Sequence, residues 1–142
     1  MSHNDIVNNT AYGLLGLYKR GILELQLYPL PLTITVTERP QTMPLVRWYA
    51  QRRLTVTNVY HQPYTFGALE SYILSLLDGH HNREQLANLV LQKINKGDFE
   101  ISKNVPDQPP QPITNPLEKF IAVAKIIDDA LALFAKMAFL VG

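Results

Sequence analysis

The chain has 142 residues, 46% of them apolar, with 13 Lys and Arg against 12 Asp and Glu for a formal net charge of +1, and no cysteine. That length holds one domain, or one domain with an appendage, and near-neutrality supplies no global field to draw the protein to nucleic acid or to acidic lipid. The lack of cysteine excludes disulfides, thiolate zinc sites and cysteine nucleophiles, and points to a reducing, cytoplasmic setting.

Residues 1–10 carry neither a basic nor an apolar signal region, so no secretory leader is expected. Over residues 9–20, Ala11, Leu14, Leu15 and Tyr18 recur at helical spacing, with Gly13 and Gly16 inside the pattern reading as packing contacts. Lys19-Arg20-Gly21 is a helix ending, because cations suit the C-terminal dipole and glycine suits the left-handed residue beyond it. Residues 22–28 alternate Leu23, Leu25 and Leu27 with Glu24 and Gln26. Residues 32–38 alternate Leu32, Ile34 and Val36 with Thr33, Thr35 and Thr37. A period of two predicts strands, paired with each other through Pro29-Leu30-Pro31.

After Arg39-Pro40 the period changes. Thr42 is the expected cap of a short helix reaching about Arg52, with Pro44 in its first turn and Leu45, Trp48 and Tyr49 on one face. Residues 54–60 alternate as a strand, His61-Gln62-Pro63 break it, and Tyr64-Thr65-Phe66 offer a short partner. Residues 68–77 place Leu69, Tyr72, Ile73, Leu76 and Leu77 on one helical face. Asp78-Gly79 stops that helix, and Asn82 with Gln85 is a capping-box start for the next, over 83–95, burying Leu86, Leu89, Val90 and Ile94 and closing at Gly97. Two helices around so short a break have the outline of a helix-turn-helix.

Residues 102–116 hold five prolines and read as a linker. Asn115-Pro116-Leu117-Glu118 starts a last helix, expected to run to Leu140, whose polar residues Glu118, Lys125, Asp129 and Lys136 form one narrow stripe. Lys125, Asp128, Asp129 and Lys136 interrupt the only long apolar run, so no membrane span is expected. So wide an apolar face predicts that the helix packs on the domain or on a partner, a second copy included. The expected division is an α+β domain over 1–101, the linker over 102–116, and the amphipathic helix over 117–142.

No side-chain set converges on chemistry. His80-His81 on a turn reads as exposed rather than as a metal site. Asp128 and Asp129 point about 100° apart on a helix, so they do not share an atom, and Lys125 one turn before Asp129 suits a surface pair. There is no glycine-rich phosphate loop and no nucleophile elbow, and a hydrolase built on His61 or His80 lacks a matched nucleophile. No catalytic residue, cofactor or metal is expected. The best interaction signal is Arg39 to Arg53, with Arg39, Arg47, Arg52 and Arg53 around Trp48 and Tyr49 and no acidic residue. The competing reading puts Trp48 in the core and leaves the arginines a solvated face. Helix 83–95 could present Arg83, Gln85, Asn88, Gln92 and Lys93 to base edges. Residues 79–97, however, hold three cations against the one acidic Glu84, a net +2, which is modest for gripping phosphates. The candidate contacts for a partner or for nucleic acid are therefore Arg47, Trp48, Arg52, Arg53, Arg83 and Lys93.

Several short motifs stand in order: Glu38-Arg39-Pro40, Pro44-Leu45-Val46-Arg47, Val56-Thr57-Asn58 with His61, Leu74, Leu76-Leu77-Asp78-Gly79, Arg83 and Leu86. Over about residues 12–95 the chain resembles the C-terminal region of bacterial proteins with the predicted methyltransferase regulatory domain, a group that includes rickettsial-type protein lysine methyltransferases. The resemblance implies a winged-helix-like α+β fold behind a Rossmann-like S-adenosylmethionine domain. It also implies a regulatory or substrate-presenting role towards a methyltransferase. These 142 residues contain no methyltransferase domain, so no catalytic or cofactor residue carries over. At Phe66-Gly67, glycine stands where an acidic cap is expected. The expected function is a non-catalytic accessory or protein-interaction module of a methyltransferase system, docking on its catalytic domain or a protein substrate. The alternative is a DNA-binding winged helix.

Overall fold

Ser2 starts the first helix, α1 (His3–Lys19), earlier than the apolar spacing shows: its side chain accepts from the backbone of Asp5 while the Asp5 carboxylate accepts from the Ser2 backbone. The computed structural model describes residues 2–23, 29, 31–104 and 106–142, in two compact units, Met1–Leu30 and Pro31–Gly142. In the first unit, α1 buries no residue, and it ends as expected at Gly21, φ +70°. A Cβ on Gly13 or Gly16 would meet nothing within 4 Å, so these glycines are not the packing contacts the sequence suggested. The strand expected over 22–28 lies largely outside the described residues.

Among its described residues the second unit holds four helices and three short antiparallel ladders. Strand β1 (Gln41–Thr42) pairs with the C-terminal β6 (Leu140–Val141). The expected strand over 32–38 is not formed: only Leu32 makes a bridge, to Val141, and Ile34 is 88% exposed. Thr42 is not a helix cap either. It lies in β1, its buried hydroxyl donates to the Phe139 carbonyl at 2.6 Å, and the N-cap of α2 (Pro44–Gln51) is Met43, without a side-chain bond. Strands β2 (Val56–Thr57) and β3 (Pro63–Tyr64) form the hairpin expected around His61, shorter than the alternation implied.

Helices α3 (Ala68–Ser75) and α4 (Arg83–Asn95) are the two arms of the helix-turn-helix. Gly67 caps α3 without a side-chain bond. At the break, Gly79 is needed twice over: its φ is +82°, and a Cβ there would crowd the Gln41 side chain at 3.3 Å. Asn82 and Gln85 exchange the expected capping-box bonds at 2.8 and 2.9 Å. The proline-rich stretch carries a ladder of its own, β4 (Ser102–Lys103) with β5 (Gln111–Pro112), and forms the wing behind α4.

Helix α5 (Pro116–Lys136) opens on the Asn115 cap, as expected, but stops short of Leu140. Ala138 takes the left-handed conformation at φ +60°. The Phe139 N–H bonds back to the Phe134 carbonyl and the Ala138 N–H to that of Ala135, a helix ending usually built on glycine. The core lies between α2, α3, α4, α5 and β6, with Ile73, Leu74, Leu77, Leu86, Val90, Val123, Leu131 and Phe134 fully buried. Phe66 stacks edge-on against Phe134 and Phe139, with centroids 5.3 and 5.4 Å apart. Among the described residues no helix is long and apolar enough to cross a membrane.

Candidate functional site

The arginine-rich segment divides into inward and outward halves. Arg47 turns in: its guanidinium donates to the Thr42 carbonyl at 2.7 Å and the Leu77 carbonyl at 3.4 Å, tying α2 to β1 and to the end of α3. Arg39 donates to the His80 carbonyl at 3.3 Å. Trp48 is 47% exposed and Leu45 62%, while Val46 and Ala50 are the buried face of α2. The face that the sequence grouped as Leu45, Trp48 and Tyr49 is therefore mainly the solvent face. Over it lies Arg52, its guanidinium carbon 3.9 Å from the indole centroid and its Nη1 donating to the Trp48 carbonyl at 3.1 Å.

Arg53 and Lys93 come together. They line one groove of about 540 Å³ between α2, α3 and the end of α4, with Ala50, Tyr72, Asp98 and Phe99. Lys93 is not a free cation there. Its Nζ lies 3.0 Å from the Asp98 carboxylate, which holds the lysine pKa above its ordinary value through that hydrogen bond and charge. Arg83 stands apart from this groove and pairs with Asp128 of α5 at 3.3 Å. The structure thus joins Trp48 with Arg52 and Arg53 with Lys93, and leaves Arg47 and Arg83 elsewhere.

Sequence reading missed Asp98, Asp128, Tyr72 and Phe99 at these places. Asp98 had a signal: with Gly97 ending α4, the Asp98 N–H bonds to the Lys93 carbonyl, and such an ending brings those two side chains close. The partner of Asp128 had none, because Arg83 lies on another helix.

The turn between α3 and α4 is organised by Asp78. One carboxylate oxygen accepts from the His80 N–H at 2.9 Å and meets His81 Nδ1 at 2.9 Å. Burial pushes the Asp78 pKa up, but those bonds and the nearby imidazoles outweigh it, so the group lies below the ordinary carboxylate value. No group of three potential metal ligands occurs among the described residues.

The second exposed surface is apolar. Leu117 and Ile121, one turn apart on α5, are 67% and 60% exposed. Ile113 of the wing, Ala122 and the stem of Lys125 make a shallow depression with Ile121.

A helix-turn-helix followed by a β-ladder wing and a long helix defines a winged-helix domain. The chain belongs to the family of PKMT C-terminal winged helix domains, whose model matches residues 38–139. Its fold is that of PKMT2 from Rickettsia typhi, with a TM-score of 0.76 at 23% identity over 100% of this chain and 28% of that one. The structure of that protein in complex with AdoHcy aligns with a TM-score of 0.72, again at 23% identity over 100% of this chain and 28% of that one. The chain therefore spans little more than a quarter of those proteins. Comparison with curated proteins gave no match.

Proposed function

We propose that this winged-helix domain is an accessory module of an S-adenosylmethionine-dependent protein methyltransferase system, acting by docking and not by its own chemistry. The observation that carries the reading is the exposed apolar surface of α5. Leu117 and Ile121 stand in solvent beside Ile113, on a helix whose other face is already committed to the core. Apolar side chains gathered in this way fit a protein surface. Membership of the PKMT family supports a methyltransferase catalytic region, or the protein it methylates, as the partner. A cytoplasmic setting fits a chain without cysteine.

A DNA-binding role draws less support. Two of the three cations of residues 79–97, Arg83 and Lys93, are each held by a carboxylate, so few are left to replace counterions on a duplex.

The test mixes the full chain with the catalytic region of a PKMT and follows association by calorimetry and methyl transfer to a protein substrate. Saturable association that the pair L117D and I121D abolishes, with transfer changed when the wild-type chain is present, is the expected result. Absence of both effects, or tight salt-sensitive binding to duplex DNA, overturns the reading.

A further inference from the structure

Leu45 and Trp48 of α2 and the capping Arg52 just past its end stand at i, i+3 and i+7, and all three are exposed. Met43 before the helix and Leu54 after it are also exposed, at 40% and 45%. The segment is also cationic. No acidic residue occurs between Glu38 and Glu70. None of the four arginines there forms an ion pair among the described residues; Arg39 and Arg47 are tied to carbonyls of other elements, while Arg52 bonds only the Trp48 carbonyl one turn before it. Arg52 is held over the indole, so part of its conformational entropy is lost before any partner arrives.

Arg53 adds an independent observation. It lies just past the end of α2 at φ +53°, where the Leu54 N–H bonds back to the Tyr49 carbonyl and the Arg53 N–H to that of Ala50. That position favours glycine, and a side chain there costs about 1 kcal/mol. The structure carries an arginine at this strained place, where it lines a groove together with Lys93 and Phe99.

We propose that this face of α2 docks an acidic segment of a partner protein, one that carries apolar side chains between its carboxylates. The proposal rests on the docking reading and names the partner chemistry of a second surface. Carboxylates would take the two-pronged geometry that guanidinium groups offer, and apolar side chains would cover Leu45, Trp48 and Leu54. A nucleic acid supplies the charge but little aliphatic surface for those three, and Arg52 and Arg53 alone are few for a phosphate backbone.

The experiment titrates the full chain with a labelled synthetic peptide in which glutamates alternate with leucine and phenylalanine. Binding is read by peptide anisotropy and by the emission of Trp48, the sole tryptophan. Expected are saturable binding, a blue shift of Trp48, and affinity that falls as salt rises. R53G relieves the backbone strain, so it should raise the unfolding midpoint while weakening the peptide by about tenfold. R52E in addition should abolish binding. No binding, equal binding of the peptide with lysine for glutamate, tighter binding of a single-stranded oligonucleotide, or displacement of the peptide by self-association of the chain would each overturn the proposal. If the peptide fails while the chain still associates with a PKMT catalytic region through Leu117 and Ile121, this proposal falls and the accessory reading stands.

Discussion

Asn58 satisfies four polar groups at once while only 5% exposed. Its Oδ1 accepts from the N–H groups of Tyr60 and Gln62, and its Nδ2 donates to Gln62 Oε1 and to the Met137 carbonyl. Alanine there removes four part-buried hydrogen bonds at once, so N58A should cost about 2–3 kcal/mol in urea unfolding. T42V, which orphans only the Phe139 carbonyl, should cost about 1–2 kcal/mol. A smaller loss at Asn58 than at Thr42 would refute this ranking. Asp78 answers to pH. Its folded-state pKa lies below the ordinary value, so its charge stabilises the fold above pH about 4, and that contribution is lost as pH falls through the lower folded value. D78N keeps an oxygen for the His80 N–H but removes the charge. At neutral pH it should be less stable than wild type by no more than about 1 kcal/mol, since a side chain 34% exposed is screened by water. The gap should close below the carboxylate range, and a gap that widens there would contradict the assignment.

At the scale of elements, the ending of α5 shows the strain most directly. Ala138 occupies a left-handed position at φ +60°; A138G should stabilise the protein by about 0.5–1 kcal/mol, read as a raised thermal midpoint. The reverse sign would mean that the Ala138 methyl packs usefully. In α1, where Gly13 and Gly16 meet open space, the pair G13A and G16A should raise helicity by circular dichroism, each replacement favouring the helix by about 0.5–1 kcal/mol. What was legible in advance follows from how local each signal is. Helix α4 was readable from end to end because Asn82, Gln85 and Gly97 act within one turn of it. The end of α5 was not, because alanine carries no stop signal. The strand expected over 32–38 reflects threonines alternating with aliphatics, a pattern that any half-exposed extended segment satisfies. Ladder β1–β6 joins residues about a hundred positions apart and leaves no local trace. The candidate site was legible as a cluster of arginines and one tryptophan. Which arginines face inward was not, since Arg47 is claimed by carbonyls of β1 and α3.

For the molecule as a whole, the two termini differ in what they hold. The last six residues carry Phe139 and Leu140 of the core, the strand that closes on Gln41–Thr42, and the carbonyls that take the buried Thr42 and Asn58 side chains. Those bonds span 97 and 79 positions, so they tie the ends of the second unit to each other. Helix α1 holds no buried residue, and at 17 residues it is near the length at which an isolated helix is marginal in water. Cooperative unfolding should therefore belong to residues 31–142. A chain trimmed to that range should melt within about 2 °C of the full one, a change below about half a kcal/mol at this size. A chain lacking only residues 137–142 should lose its sharp transition, because two orphaned buried polar groups and two missing core side chains together approach the whole stability of a small domain. The comparison is read by calorimetry on the three chains. If the amino-terminal trim lowers the midpoint by more than about 5 °C, the assignment of cooperative unfolding to residues 31–142 is wrong.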